Sequence, residues 1–185
     1  GDKGGGGVGL LYRDSINVEK VKVTNFKTFE HSWALATSDS ATVNIIIIYR
    51  PPSSSSGTSL SDFFEEFQIL LSQTALSKGK LLLLGDFNLH VDRYDNRDAN
   101  KFVKVLESHN LQQHVTKATH EHGHTLDLVI TPQDDNFISN VYVKGFPYSD
   151  HSSVCFRVHT SKPPLPKESI SYRRFKSLDV EKFKS

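Results

Sequence analysis

Six side chains in this sequence belong to types that handle protons, cations or phosphate, and each lies near the end of an apolar run: Tyr49, Asp86, Asn88, Asp127, Asp150 and His151. The apolar stretch Leu81–Leu84 leads directly into Gly85-Asp86-Phe87-Asn88. At a strand end, side chains two residues apart point the same way, so Asp86 and Asn88 are expected to project together. A carboxylate beside an amide suits Mg²⁺ and phosphate, one supplying charge and the other oriented hydrogen bonds. Gly-Asp and Asn are also ordinary turn formers, so this tetrapeptide by itself leaves both readings open.

Asp127 lies inside the apolar run Thr125–Ile130. An unpaired carboxylate is costly there, so it needs a partner, and a histidine is a natural one. Ser149-Asp150-His151 stands just before another apolar run. Asp next to His can supply a metal ligand and a general base, or can be a turn with a surface histidine. Pairing of Asp127 with His151 would orient the imidazole and stabilise its protonated form. Tyr49-Arg50-Pro51-Pro52 ends another apolar run, and a tyrosine there can offer its hydroxyl to a phosphate or pack as an edge aromatic. His90 and Asp92 follow the Gly-Asp-Phe-Asn turn, either flanking a substrate or simply solvated. His120, His122 and His124 alternate, a pattern that can bind Zn²⁺ or Ni²⁺ from one side of a strand.

The elements expected to carry these groups follow from hydrophobic period and turn signals. Strands are predicted over 8–13, 17–24, 31–37, 43–49, 80–84, 125–131, 138–143 and 152–158. The polar stretch 37–42 predicts a hairpin between the third and fourth of these. Ile45–Ile48 and Leu81–Leu84 are apolar on both faces, so both strands should be central and covered on both sides. Pro51–Gly57 reads as a connector. A helix follows, with Ser61 as N-cap, Phe63, Phe64, Phe67, Leu70 and Leu71 as its apolar face, and Gly79 as its end. A second helix is expected over 99–109 with Phe102, Val103, Val105 and Leu106 inward. Helices on one face of a sheet and a second sheet on the other satisfy this pattern.

A length of 185 residues fits one domain. The chain has no apolar stretch near the ~18 residues a membrane span needs, and its opening of glycine and charge is not expected to act as a secretory leader. The net charge of +1, from 22 basic and 21 acidic residues, excludes a global basic field. Any contact with nucleic acid must therefore be local. The single Cys155 excludes an internal disulfide and a cysteine-rich zinc site. The absence of Met, and the opening GDKGGGG that runs almost at once into a strand pattern, suggest a piece of a longer polypeptide. From Ser161 onward the chain is Pro-rich and then basic, with Lys167, Arg173, Arg174 and Lys176, and reads as a linker following a domain over 1–160.

Taken in order, strand-Tyr-x-Pro, strand-Gly-Asp-Phe-Asn, strand-Asp and Ser-Asp-His resemble the endonuclease/exonuclease/phosphatase superfamily over roughly residues 5–160. The words GGGVGLLYR, YRPP, GDFNLH, THEHGHTLDLVIT and SDHSSV are most similar to the endonuclease of vertebrate non-LTR (LINE-type) retrotransposon polyproteins. The tail YRRFKSLDVEKF resembles the segment leading toward a reverse transcriptase there. The resemblance implies an α/β fold, a DNase I-like four-layer α/β/β/α sandwich incomplete at its N-terminus. It implies phosphodiester hydrolysis with Mg²⁺, Mn²⁺ being able to substitute, and DNA as the partner in the nucleus. It places Asp86 on the attacking water and Asn88 on that water or the scissile phosphate. Tyr49 falls on the phosphate oxygens, with His90 as a further substrate contact. Asp127 orients His151, which acts as acid/base or as an electrostatic stabiliser, and Asp150 lies in or next to the metal shell. The family pattern begins with an asparagine and then a metal-binding glutamate, both ahead of the glycine-rich strand, and no residue here takes either role. The 185 residues alone are therefore expected to be poorly active or inactive. Other readings are a phosphatase or phosphodiesterase of the same superfamily acting on inositol phosphates, lipids or nucleotides, and a relic that at most binds.

Overall fold

The structure is a computed structural model that describes residues 7–38, 41–52 and 57–159. The expected linker beyond Ser161, and most of the expected connector after Pro52, lie outside the described residues. The elements are β1 (Asn17–Lys20), β2 (Glu30–Thr37), β3 (Thr42–Tyr49), α1 (Leu60–Thr74), β4 (Lys80–Asp86), α2 (Arg97–Ser108), β5 (Leu111–Gln113), β6 (Asp127–Pro132), β7 (Ile138–Lys144) and β8 (Ser153–Val158). They form a six-stranded sheet in the order β1-β2-β3-β4-β6-β5 and a two-stranded sheet of β7 and β8. Among the described residues, no helix is long and apolar enough to cross a membrane.

The expected hairpin is present, with β2 and β3 antiparallel and Glu30 opposite Tyr49. β3 and β4 are parallel. A parallel pair needs a crossover, and α1 provides it. Phe63, Phe64, Phe67, Leu70 and Leu71 of α1, with Phe102 and Leu106 of α2, pack on Trp33, Ile46, Ile48, Leu83, Leu128 and Ile130. The opposite face of the sheet, with Val43, Leu82 and Val129, packs on Phe137 and on the apolar side chains of β7 and β8. Alternation along β3, β4 and β6 therefore feeds two cores. The layers run helices, six-stranded sheet, two-stranded sheet, the α/β stacking of a DNase I-like fold. The outer helical layer of that sandwich has no counterpart among the described residues.

Several boundaries differ from the sequence reading. The N-cap of α1 is Ser59, not Ser61: its hydroxyl accepts from the Asp62 amide while Asp62 accepts from the Ser59 amide. That reciprocal box satisfies two N–H groups, whereas Ser61 already sits within the first turn. The helix ends at Thr74, ahead of Gly79. Gly79 instead has φ +101 and lies so close to the Thr42 carbonyl that a Cβ would come within 2.5 Å of it. It steers the chain into β4 beside β3. Residues 8–13 form no strand, and β1 ends at Lys20 rather than Thr24. Strand formation needs a partner ladder, and the 8–13 segment has none among the described residues, leaving Leu11 exposed. Val103 and Val105 are only half-buried; Ala99, Phe102 and Leu106 form the buried stripe of α2.

Candidate active site

The two cores determine which way the strand ends face. Val43 and Ile45 of β3, Leu82 and Leu84 of β4, and Val129 of β6 turn toward the two-stranded sheet. Tyr49, Asp86 and Asp127 share those alternation positions. They are also direct neighbours in register: Tyr49 pairs with Asp86 across β3 and β4, and Asp86 pairs with Asp127 across β4 and β6. Side chains opposite one another in register lie side by side on one face. The three groups thus form a row across adjacent strands at one rim of the sheet, facing the cleft between the two sheets.

Gly85 makes this rim possible. Its φ is +134, and a Cβ there would fall 1.8 Å from the Ile48 carbonyl oxygen. Only glycine lets β4 pass β3 at this distance while turning Asp86 outward and Phe87 into the helical core, where it meets Phe67 and Phe102. Gly85→Ala is expected to destabilise the fold by about 2–5 kcal/mol, a backbone clash added to a left-handed φ. Urea unfolding measures this as a lowered midpoint with an unchanged slope.

Asn88 reaches Asp86 by a route other than strand alternation. It has left the strand, with φ +47. Its backbone amide donates to Asp86 Oδ1 at 2.9 Å and its side-chain amide donates to Asp86 Oδ2 at 3.0 Å. The same NH₂ group donates to the Arg50 carbonyl at 2.8 Å. Both amide protons are thereby used within the protein. In this arrangement Asn88 positions the Asp86 carboxylate, and its nitrogen is not turned toward a substrate. Arg50, buried over the Phe63 ring, donates to the Asn88 carbonyl and receives the Asn88 amide, holding the turn from below.

His151 is brought to this row from the start of β8. Its Nδ1 bonds Asp127 Oδ2 at 2.8 Å. Asp86, Asp127 and His151 each offer a ligand atom within 4.8 Å of one another. Burial raises the Asp86 pKa, and the nearby Asp127 charge adds to this. The Asn88 amide, His151 and Arg50 oppose it without cancelling it. Burial also works against charging His151, but the Asp127 hydrogen bond and the charges of Asp127, Asp86 and Asp150 outweigh it and raise its pKa. A carboxylate and an imidazolium side by side can share the movement of protons around a phosphate.

Asp150 lies on the exposed side, its carboxylate 3.4 Å from His120 Nε2. The His120 ring meets the His151 ring edge-on at 4.9 Å. His90 stands apart from this group: its ring lies against His124, beside Asp92. The alternating histidines do not act as one unit either, since His120 pairs with Asp150 and His124 with Asp92.

Sequence reading missed Thr119. It is fully buried, and its hydroxyl accepts from the Leu126 and Asp127 amides at 3.0 Å each. Its carbonyl accepts from Ser152 at 2.7 Å. Thr119 therefore joins the backbones that carry Asp127 and His151, a role that residue type alone does not reveal.

Residues 43–155 match the model of the endonuclease-reverse transcriptase family. The chain belongs to that family. It is a member of the endonuclease/exonuclease/phosphatase superfamily, like retrotransposon endonucleases. Its fold is similar to the endonuclease domain of TRAS1, a telomere-specific non-LTR retrotransposon, with a TM-score of 0.66 at 14% identity over 82% of this chain and 71% of that one. It is also similar to an endonuclease/exonuclease/phosphatase family protein from Leptotrichia buccalis, with a TM-score of 0.52 at 11% identity over 80% of this chain and 74% of that one. No curated protein sequence matches the chain. Family membership supports phosphoesterase chemistry, and divalent-metal dependence is usual in the superfamily. The residues at the rim fit such a cation. Two carboxylates in register, one raising the other's pKa, form a hard oxygen donor set that a divalent cation relieves.

Proposed function

We propose that this domain hydrolyses a phosphodiester of DNA, nicking one strand to leave a 3′-hydroxyl, as the endonuclease part of a longer retrotransposon polyprotein that works in the nucleus. The observation that carries this reading is the row of Tyr49, Asp86 and Asp127 closed by the 2.8 Å bond from Asp127 to His151. DNA as substrate is supported by the family's description as an endonuclease joined to a reverse transcriptase.

Asp86 orients the attacking water and takes its proton, with Asn88 fixing the carboxylate that does so. Water adds to phosphorus, and the bond from phosphorus to the 3′-oxygen breaks. His151, held charged by Asp127, neutralises the growing negative charge and can pass a proton to the departing oxygen. The Tyr49 hydroxyl contacts a phosphate oxygen from the neighbouring strand. Asp86 and Asp127, with Asp150 on the open side, would hold Mg²⁺ or Mn²⁺, which supplies Lewis-acid polarisation of the phosphate.

The test offers supercoiled plasmid and an inositol polyphosphate to the polypeptide, extended upstream to include the asparagine and glutamate of the family pattern. Open-circular DNA that forms with Mg²⁺ and not with EDTA is the expected result. Release of inorganic phosphate without nicking would move the assignment to a phosphatase of the same superfamily. Neither activity would indicate a domain that at most binds.

A further inference from the structure

Outside the row at the sheet rim, a second group of ligating side chains comes together from two loops. His90 and Asp92 lie on the turn that follows Asn88, and His124 lies on the loop that leads into β6. One ligand atom from each lies within 4.8 Å of the others. The His90 and His124 rings meet edge-on at 4.0 Å. Asp92 Oδ2 is 3.1 Å from His124 Nδ1, and the other Asp92 oxygen accepts from the Thr125 amide at 2.9 Å. That spacing is close to the ~3.3 Å edge of a tetrahedron built on zinc–ligand bonds of about 2.0 Å. The Thr125 bond fixes the carboxylate in the way that outer partners orient metal ligands.

An independent observation concerns His90 itself. Its Nδ1 is buried and has no hydrogen-bond partner. A buried polar atom without a partner is costly, and native structures retain one where something else satisfies the group or where it serves a function. We propose that His90, Asp92 and His124 bind a transition-metal cation of the zinc class, at a site separate from the Asp86–Asp127–His151 row.

Donor chemistry selects the class. Two imidazoles and one carboxylate suit Zn²⁺, Co²⁺ or Ni²⁺, whereas Mg²⁺ prefers an all-oxygen shell. Three protein ligands leave a fourth position for solvent. Ligands must be unprotonated to bind, so the cation displaces the proton that His124 Nδ1 shares with Asp92. The site would clamp the turn that carries Asp86 and Asn88 to the loop that carries Asp127, making the geometry of the rim depend on this second metal.

The experiment uses the metal-stripped 185-residue chain. Zn²⁺ is titrated by calorimetry, and Co²⁺ by its visible absorption. Zinc could also reach the two other groups of ligating residues, and both contain His151, so the titration is repeated in His151→Gln. One equivalent of Zn²⁺ bound in both proteins is expected, with no displacement by excess Mg²⁺. His90→Gln and His124→Gln, each with unchanged far-ultraviolet circular dichroism, should weaken binding by about 100-fold or more. In the unsubstituted chain, Zn²⁺ should shift the imidazole resonances of His90 and His124 and leave those of His122 in place. Loss of binding in His151→Gln, or retention when His90→Gln and His124→Gln are combined with His151→Gln, overturns the proposal. Nicking activity is not read, so the outcome does not depend on the DNA assignment.

Discussion

Asp86→Asn is expected to slow DNA nicking by about 10²–10⁴-fold, the usual range for removing a positioned general base. The amide is close in shape to the carboxylate and keeps an oxygen to accept the Asn88 backbone N–H, while its NH₂ group gives up the bond from the Asn88 side chain. The charge that faces Asp127, His151 and Arg50 is lost, and with it the capacity to take a proton from water. The same change removes one of the paired carboxylates at the rim, so the Mg²⁺ concentration for half-maximal rate should rise. Plasmid nicking followed across Mg²⁺ concentration measures both the rate and the cation requirement. A rate within a few-fold of the parent would remove Asp86 from the chemistry.

His151→Gln should lower nicking by a comparable factor, about 10²–10³-fold, because a charge aimed at the developing phosphate charge is lost. The more informative variant is Asp127→Asn. Asp127 bonds His151 directly, while Asp86 and Asp150 act on it through charge and His120 through its ring edge. Removing the Asp127 charge leaves burial working against protonation, so the pKa of His151 falls. Imidazolium is present below that pKa and lost as pH rises through it, so the alkaline limb of nicking should move toward acid. An NMR titration of the His151 ring reads the shift directly, whatever the rate. A merely structural role for Asp127 would lower stability without moving the His151 titration.

The parts of the fold that were legible in the sequence are those where one local pattern has one good physical solution. Ile45–Ile48 and Leu81–Leu84 are apolar on both faces, and they became β3 and β4 with helices on one side and the second sheet on the other. The place of Asp127 within an apolar run demanded a partner, and the structure places His151 there. What was illegible depends on distant partners. Residues 8–13 carry strand-like residues but have no ladder to join among the described residues. β5 is three residues long, too short for any period to show, and exists because it can pair with the edge of β6. The orientation of Asn88 follows from a positive φ and from the Arg50 carbonyl, neither of which residue type announces. Thr119 acts through the backbone amides of Leu126, Asp127 and Ser152. His90 stands two residues beyond Asn88 in sequence, yet the turn carries it to Asp92 and His124 instead.

A double-mutant cycle on plasmid nicking, with Asp127→Asn, His151→Gln and the pair of changes together in the extended polypeptide, most directly probes whether these two residues act as one device. At Mg²⁺ concentrations saturating for every variant, which remove the share of Asp127 in holding the cation, an Asp127 that otherwise works by orienting and charging His151 leaves the double variant nicking no more slowly than His151→Gln alone. Losses that multiply, each variant slowing the reaction by its own full factor, would mean that the two side chains act separately and that the 2.8 Å bond between them is incidental to the chemistry.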